Sequence, residues 1–226
     1  LRRIVHPFAL ADRNAADPAH ATVQTPVGSP PVEVTMIAWL VLGGVVGCVE
    51  DVGKDKAVAE VAPVPAAEAP AAASPAATAP GELPVPALAT GTPMKIDRAR
   101  STVGATGAKI TATHPITFHT FDGAVGLDGD TVTGVAFAAQ IGSLEADQPK
   151  LTEHLKKPDF LDAATWPYAT FGSTEVKPGA PGGTHTVTGD LTIRGKTLRV
   201  TFPATIAVSP TEVTANTEFV VNRQDF

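Results

Sequence analysis

The chain has 226 residues, enough for one or two domains, and its formal net charge is −6. This acidic balance argues against a nucleic-acid-binding surface, so no nucleic-acid partner is expected. The single cysteine excludes an intramolecular disulfide and a cysteine-based metal cluster.

Residues 1–35 are polar, irregular and without period, and they are predicted to form an unstructured extension. Two interpretations stay open. The stretch is either an upstream extension of the reading frame, with Met36 as the true start, or a disordered N-terminal arm.

The stretch from Met36 to Val49 is continuously apolar, M-I-A-W-L-V-L-G-G-V-V-G-C-V. As a helix it would extend only about 21 Å, short of the ~30 Å hydrocarbon core, so a transmembrane helix is not expected. Its length suits the apolar region of a secretory signal. The ending V-V-G-C resembles the lipobox of bacterial lipoproteins, although no Lys or Arg forms a basic region after Met36.

That resemblance implies a signal segment over residues 36–48 and acylation of Cys48. Acyl chains contribute roughly 0.8 kcal/mol per buried methylene, so several chains would anchor the protein firmly. The expected location is the periplasmic side of a bacterial membrane, the outer membrane rather than the inner, because Val49 and not Asp follows the cysteine. The alternative is a buried or merely free Cys48.

Residues 49–93 are dominated by Ala and Pro and contain no aromatic residue. Such a composition buries too little apolar surface to offset chain entropy, and proline keeps the backbone extended. The stretch is predicted to be a disordered linker that holds a following domain away from a membrane.

Residues 94–226 are predicted to be the folded domain, because short segments there alternate apolar and polar residues between turn signals. Asp128 to Asp130, D-G-D, and Arg194-Gly195-Lys196 are typical hairpin turns, whereas K-P-G-A-P-G-G is predicted to be a loop. The seven predicted strands are Thr102–Ala112, Thr117–Leu127, Thr131–Ile141, Tyr168–Val176, Thr184–Ile193, Thr197–Val208 and Glu212–Asn222.

One face of these strands is apolar, which favours an antiparallel barrel or a sandwich. Small residues on the inner face, such as Ala139, Gly189, Ala204 and Ala215, would leave a barrel hollow enough for an apolar ligand. Ordinary tight packing at these positions is the alternative.

A single short amphipathic helix is predicted near Asp147–Lys157, ended by Pro158. Leu151 and Leu155 share its apolar face. The helix is either a lid or plug at one end of the barrel, or simply packs on the edge of the core.

Four blocks occur in order after residue 150: L-T-E-H-L-K-K-P-D-F-L-D, W-P-Y-A-T-F-G-S-T-E-V, V-T-G-D-L-T-I-R-G-K-T and F-V-V-N-R-Q-D-F. Together they resemble the YceI family of bacterial secreted lipid-binding proteins, and the resemblance covers Met94 to Phe226. It implies an all-β fold, an antiparallel lipocalin-like barrel of eight strands whose apolar pore accepts a polyisoprenoid or similar amphiphile. Relatives continue past N-R-x-D-F with a further strand, so the domain is expected to be C-terminally truncated, with two open strand edges.

The implied function is non-enzymatic binding, with transport or storage, of an apolar-chain lipid in the cell envelope. The expected partners are that lipid, the membrane through acylated Cys48, and a second copy of the chain in a homodimer. No cofactor is expected apart from an isoprenoid-type ligand. The strand alternation and the family resemblance together predict the residues that line the lipid-binding site. They are Phe121, Phe137, Ile141, Leu155, Phe160, Phe171, Leu191, Ile193, Val200, Phe202 and Phe219.

Two other functions stay open. The first is a structural or interaction module whose barrel is filled by its own side chains. The second is an enzyme using the histidines, which lacks support because no nucleophile elbow, P-loop, dinucleotide fingerprint or helical histidine pair is present. The spacing of Asp190 and Arg194 predicts an exposed ion pair on one face of a strand. Asn222, Arg223 and Asp225 are predicted to form a hydrogen-bonded structural corner.

Overall fold

The computed structural model describes residues 32–41, 56–65, 82–109, 112–209 and 212–226. Thirteen strands form one sheet in these ranges, with one α-helix, α1, over Pro149–Leu155. The strands are β1 Val32–Val41, β2 Ala57–Val58, β3 Glu60–Pro63, β4 Thr92–Lys95, β5 Thr102–Lys109, β6 Ala112–Phe118, β7 Phe121–Asp128, β8 Thr131–Gln140, β9 Leu144–Ala146, β10 Tyr168–Ala180, β11 Gly183–Ile193, β12 Lys196–Val208 and β13 Val213–Asn222.

An antiparallel up-and-down meander forms the framework, as the alternating pattern predicts. The β7–β8 hairpin turns at Gly129, which has a φ of +59°, and the β11–β12 hairpin turns at Arg194 and Gly195, with φ values of +51° and +71°. Positive φ at Arg194 and Gly195, and at the first turn residue Gly129, matches the right-handed twist of the flanking strands. Both predicted hairpin turns are confirmed.

Three strand predictions are wrong in their limits, the first being Thr102–Ala112, because β5 ends at Lys109 and β6 begins at Ala112. The predicted strand Thr117–Leu127 is bent at its start: β6 ends at Phe118, β7 begins at Phe121, and β9 pairs with β6 while β8 pairs with β7. The predicted loop K-P-G-A-P-G-G is mostly strand, because β10 continues to Ala180 and pairs there with Gly183. Gly182, at a φ of +79°, makes the turn tight enough for pairing to continue.

Counted along the meander, β6 with β7 and β8 with β9 act as two long bent strands, so seven strands run from β5 to β13. Because seven is odd, β5 and β13 run in the same direction. A strand that closed the barrel between them by antiparallel pairing would run opposite to both. In this structure β1 lies there and is parallel to both neighbours, pairing Val32 with Val213 and Thr35 with Thr102.

The position of β1 differs from the expectation that residues 32–41 divide between an unstructured extension and a signal segment. Its register pairs five apolar residues with buried residues of β13. These five residues are Val32, Val34, Met36, Ala38 and Leu40. Cleavage before Cys48, which stays a prediction, would remove β1, and Cys48 itself lies outside the described residues.

Part of the predicted linker also packs on the domain. β2 and β3 pair with β13 and β12, and β4 pairs with β7. Leu83 is buried, while Pro86 and Leu88 lie against Gly172 and Gly134 on the outer face of the sheet. The prediction of disorder is therefore wrong for 56–65 and 82–93, because small residues on the outer face leave room for these apolar side chains.

The strands wrap around one continuous apolar core, so the fold is a lipocalin-like, mostly-β one with a single short helix. Numbered separately, the main-path strands follow one another from β4 to β9. The inward-facing residues predicted on β8, β11, β12 and β13 are buried.

Among the described residues, no helix has the length and apolar character needed to cross a membrane.

Candidate functional site

An apolar cavity of about 80 Å³ lies inside the sheet, between β5 and β13 on one side and β8 and β11 on the other. Every lining residue is apolar or glycine, so water in the cavity would have no side-chain partner. A site of this kind selects for hydrocarbon and offers nothing to a polar group. It is lined by Val103, Gly104, Ala105, Phe118, Phe137, Ala139, Ile141, Leu161, Ala169, Leu191, Ile193, Phe219 and Val221.

The structure divides the predicted lining residues into three groups. Five line the cavity: Phe137, Ile141, Leu191, Ile193 and Phe219. Five more are buried in the core away from it: Phe121, Leu155, Phe171, Val200 and Phe202. Phe160 is partly buried and packs at one end of the molecule, between His154 and Arg223.

The other lining residues were not predicted. Val103, Gly104 and Ala105 come from β5, whose small residues gave no sign of a cavity wall. Ala139 and Val221 are predicted to face inward, as the alternation of their strands requires, but they were not among the predicted lining residues. Leu161 lies on the turn after α1, and its position cannot be predicted from a strand pattern.

Four phenylalanine rings cross the interior in a row. The centroid distances are 5.7 Å from Phe137 to Phe171, 5.4 Å from Phe171 to Phe202 and 4.1 Å from Phe202 to Phe219. Only the outer two rings border the cavity. Aromatic pairs of this kind contribute about 0.5–1.5 kcal/mol beyond their area burial, so the row stabilises the core beside the cavity.

Gly189 makes this row possible. A Cβ there would lie 2.6 Å from Cζ of Phe171, so the space that the missing side chain leaves is filled by that ring. The prediction that Gly189 contributes to a hollow interior is therefore wrong.

The helix α1 and the turn after it cover the end of the core beside the cavity. Leu155 of α1 is buried, and Leu161 lines the cavity. The backbone N–H of Leu161 donates to the Leu155 carbonyl at 3.1 Å, and that of Trp166 to the Asp162 carbonyl at 2.8 Å. The region is thus more than edge packing, because it supplies part of the cavity wall.

The four sequence blocks meet at this end. Arg194 Nη2 donates to the Pro158 carbonyl at 3.0 Å, and the Arg223 guanidinium lies 4.5 Å from the Phe160 ring centroid. The Trp166 ring covers Gly195, where a Cβ would lie 2.4 Å from Cη2 of the indole. These contacts join the turn after α1, the β11–β12 turn and the end of β13.

The polar residues weighed in the sequence are structural. Asp190 pairs with Arg199, not with Arg194: Arg199 Nε donates to Asp190 Oδ1 at 2.8 Å, across the β11–β12 register. Asn222 Oδ1 accepts a hydrogen bond from the Gln224 N–H at 3.0 Å, which gives the predicted structural corner.

Three histidines pair with carboxylates on the surface: His114 with Asp147, His119 with Glu145 and His154 with Asp159, at 2.8–3.0 Å. The hydrogen bond from His154 lowers the pKa of the Asp159 carboxyl below its ordinary value. Within the described ranges, no three His, Cys, Asp or Glu residues are grouped so that they could hold a metal ion.

A second, more open groove of about 450 Å³ lies where β2 and β3 meet β13. Asn222 and Asp225 contribute to its lining, and it faces solvent more widely than the interior cavity. The other five lining residues are apolar: Val58, Ala59, Val61, Val220 and Val221.

A YceI-like domain model matches residues 94–226. The chain is 36% identical over 86 residues to a UPF0312 protein of Yersinia enterocolitica, covering 37% of this chain and 44% of that protein. It is 37% identical over 90 residues to Protein YceI of Escherichia coli O157:H7, covering 39% and 46%. The chain thus spans less than half the length of these curated relatives.

Two solved structures are similar. BcnA of Burkholderia cenocepacia has a TM-score of 0.46 at 29% identity, covering 50% of this chain and 72% of that one. The Campylobacter jejuni YCEI protein has a TM-score of 0.37 at 22% identity, covering 40% and 54%. Both scores are below 0.5, so the domain match carries the family assignment.

Proposed function

The chain belongs to the YceI family, and from that premise we propose that it binds an apolar-chain lipid without chemical conversion. The observation that carries this proposal is the wholly apolar lining of the interior cavity. Each methylene moved from water into such a site contributes roughly 0.8 kcal/mol, so a modest length of chain gives useful affinity. A polyisoprenoid or a similar tail is the ligand class we favour.

The volume of the cavity limits what enters without rearrangement. About 80 Å³ is well below the roughly 300–1,000 Å³ typical of small-molecule sites. A long tail therefore requires side chains to move. Phe118 and Leu161 are placed to do so, since Phe118 is only partly buried and Leu161 lies on a turn and not in a ladder.

We further propose that the protein is a lipoprotein of the bacterial cell envelope, anchored through acylated Cys48. The apolar run before the cysteine supports this proposal. Intact-mass measurement of the membrane-extracted protein tests it: a diacylglyceryl-modified chain beginning at Cys48 is expected, and an unmodified Cys48 would contradict it.

The second candidate function is a structural or interaction module with a filled interior. The small cavity and the row of phenylalanine rings favour it. Ligand uptake distinguishes the two candidates.

Filling the cavity should abolish uptake if the cavity is the binding site. Ala139 is buried and lines the cavity, so Ala139→Leu places three more carbons in the space a tail would use. Titration with cis-parinaric acid, a fluorescent fatty acid, should show saturable binding by the unaltered full chain and at least tenfold weaker binding by Ala139→Leu.

Ala207→Leu is the matched control, because Ala207 is exposed on the outer side of β12. It should bind like the unaltered chain. Equal binding by Ala139→Leu, with its fold shown intact by circular dichroism, would place the ligand outside the cavity. No binding by the unaltered chain would favour the filled-interior module.

A further inference from the structure

A short segment from the predicted linker is built into the sheet between β12 and β13. The β12–β13 hairpin is paired only over Thr205–Val208 and Val213–Asn216. Beyond it the two strands separate, and β2 and β3 take the space between them. β3 pairs antiparallel with β12, from Glu60 opposite Thr201 to Pro63 opposite Leu198, and β2 pairs parallel with β13.

The contacts of this segment are specific. Ala59 is only 4% exposed and belongs to the core cluster, and its N–H donates to the Val220 carbonyl at 3.0 Å. Val61 packs against the core, and Lys56 forms an ion pair with Glu218. A buried alanine has no room for a larger polar side chain, so Ala59 is the position where docking is easiest to disrupt.

The segment lies close in sequence to Cys48. Fully extended, the nine residue steps from Cys48 to Ala57 reach at most about 30 Å. If the segment were undocked in a chain that begins at Cys48 and so lacks β1, the stretch from Cys48 to Leu83, the next buried residue among those described, could reach about 120 Å. Docking therefore shortens the tether severalfold.

We propose that docking of Ala57–Pro63 holds the β12–β13 side of the sheet against a lipid bilayer in which Cys48 is anchored. The proposal rests on the acylation of Cys48 put forward above. β13 also lines the cavity through Phe219 and Val221, so the strand kept nearest the bilayer is one that borders the apolar interior. A lipid chain leaving the membrane then has a short path to the cavity.

The first test measures docking in the full chain in solution. Hydrogen exchange should show protection of Ala57–Pro63, lost at least tenfold in Ala59→Asp. Ala62→Asp is the control, because it introduces the same side chain at an exposed position of β3. Ala59→Pro, which lacks the N–H bonded to Val220, should behave like Ala59→Asp. Rapid exchange in the unaltered chain, or protection retained in both Ala59 variants, would overturn the proposal.

The second test measures the distance to the membrane. Cys48 is the sole cysteine, so a chain that begins at Cys48, as the proposed lipoprotein does, can be coupled through it to a phosphatidylcholine bilayer carrying maleimide-headgroup phosphatidylethanolamine. Neutron reflectometry should place the unaltered and Ala62→Asp domains within about 30 Å of the headgroups. Ala59→Asp should give a broader layer reaching farther from the bilayer. An identical layer for the undocked variant would overturn the proposal.

A failure of the proposed lipid binding can be distinguished from a failure of the proposed tethering. The cis-parinaric acid titration is made in solution without a membrane, so it reports on the cavity and not on the tether. A chain that takes up no lipid yet shows the distance change would contradict the binding function and support tethering. An unmodified Cys48 in the membrane-extracted protein would remove the anchor while leaving the titration result intact.

Discussion

Gly189 shows how one residue decides whether the interior is filled. Its missing Cβ is replaced by the Phe171 ring, and the same Cβ would also lie 2.5 Å from the Gly172 carbonyl oxygen. The strand alternation predicted correctly that Gly189 faces inward. The alternation does not predict whether an inward glycine leaves a void or makes room for a neighbouring ring, because that depends on three-dimensional packing.

Replacing Gly189 with alanine should therefore destabilise the protein. Two of the three atoms that the new Cβ would clash with belong to the backbone, and moving the backbone costs more free energy than moving a side chain. We expect Gly189→Ala to lower the free energy of unfolding by about 1–3 kcal/mol, measured by urea denaturation. Gly142→Ala is the control, since nothing lies within 4 Å of a Cβ there. Equal stability of the two variants would show that the row of rings relaxes freely.

At the scale of elements, most strands of the meander could be predicted because they carry a period-two pattern, and the β7–β8, β10–β11 and β11–β12 turns carry glycine. β1, β2, β3 and β4 could not. They pair with strands far along the chain, and their own sequences resemble an apolar signal or an Ala/Pro linker. Their place in the sheet depends on edges and outer-face grooves that only the folded meander supplies.

The pair His154–Asp159 joins α1 to the turn that follows it, at 3.0 Å. Because the folded-state pKa of Asp159 is lowered, its contribution to stability is present above the unfolded pKa and is lost as pH falls through the folded pKa. Both side chains are exposed, so that contribution is small.

Removal of the imidazole should raise the pKa of Asp159 toward its ordinary value. Carboxyl-carbon NMR titration of His154→Ala should move the Asp159 midpoint upward, because the hydrogen bond is the largest cause of the lowering. His119→Ala, which alters a different pair, should leave the midpoint in place. An unchanged midpoint in His154→Ala would mean that the pair does not persist in solution.

At the scale of the whole molecule, an odd-numbered meander leaves a position between β5 and β13, and β1 lies in it. The sequence predicted the seven-strand meander and an open position, but not the parallel strand that stands there. The four sequence blocks, which lie within residues 151–226, come together at one end of the molecule and close it. The apolar cavity beside that closure is what the proposed function requires.

The most direct measurement is the location of a bound apolar chain. Filtered nuclear Overhauser spectra of the methyl-labelled full chain, equilibrated with unlabelled farnesol, should show contacts to methyl groups that line the cavity, on Ile141, Leu161 and Ile193. Contacts confined to surface methyl groups such as those of Val58, which is 76% exposed, or no contacts at all, would contradict binding in the cavity.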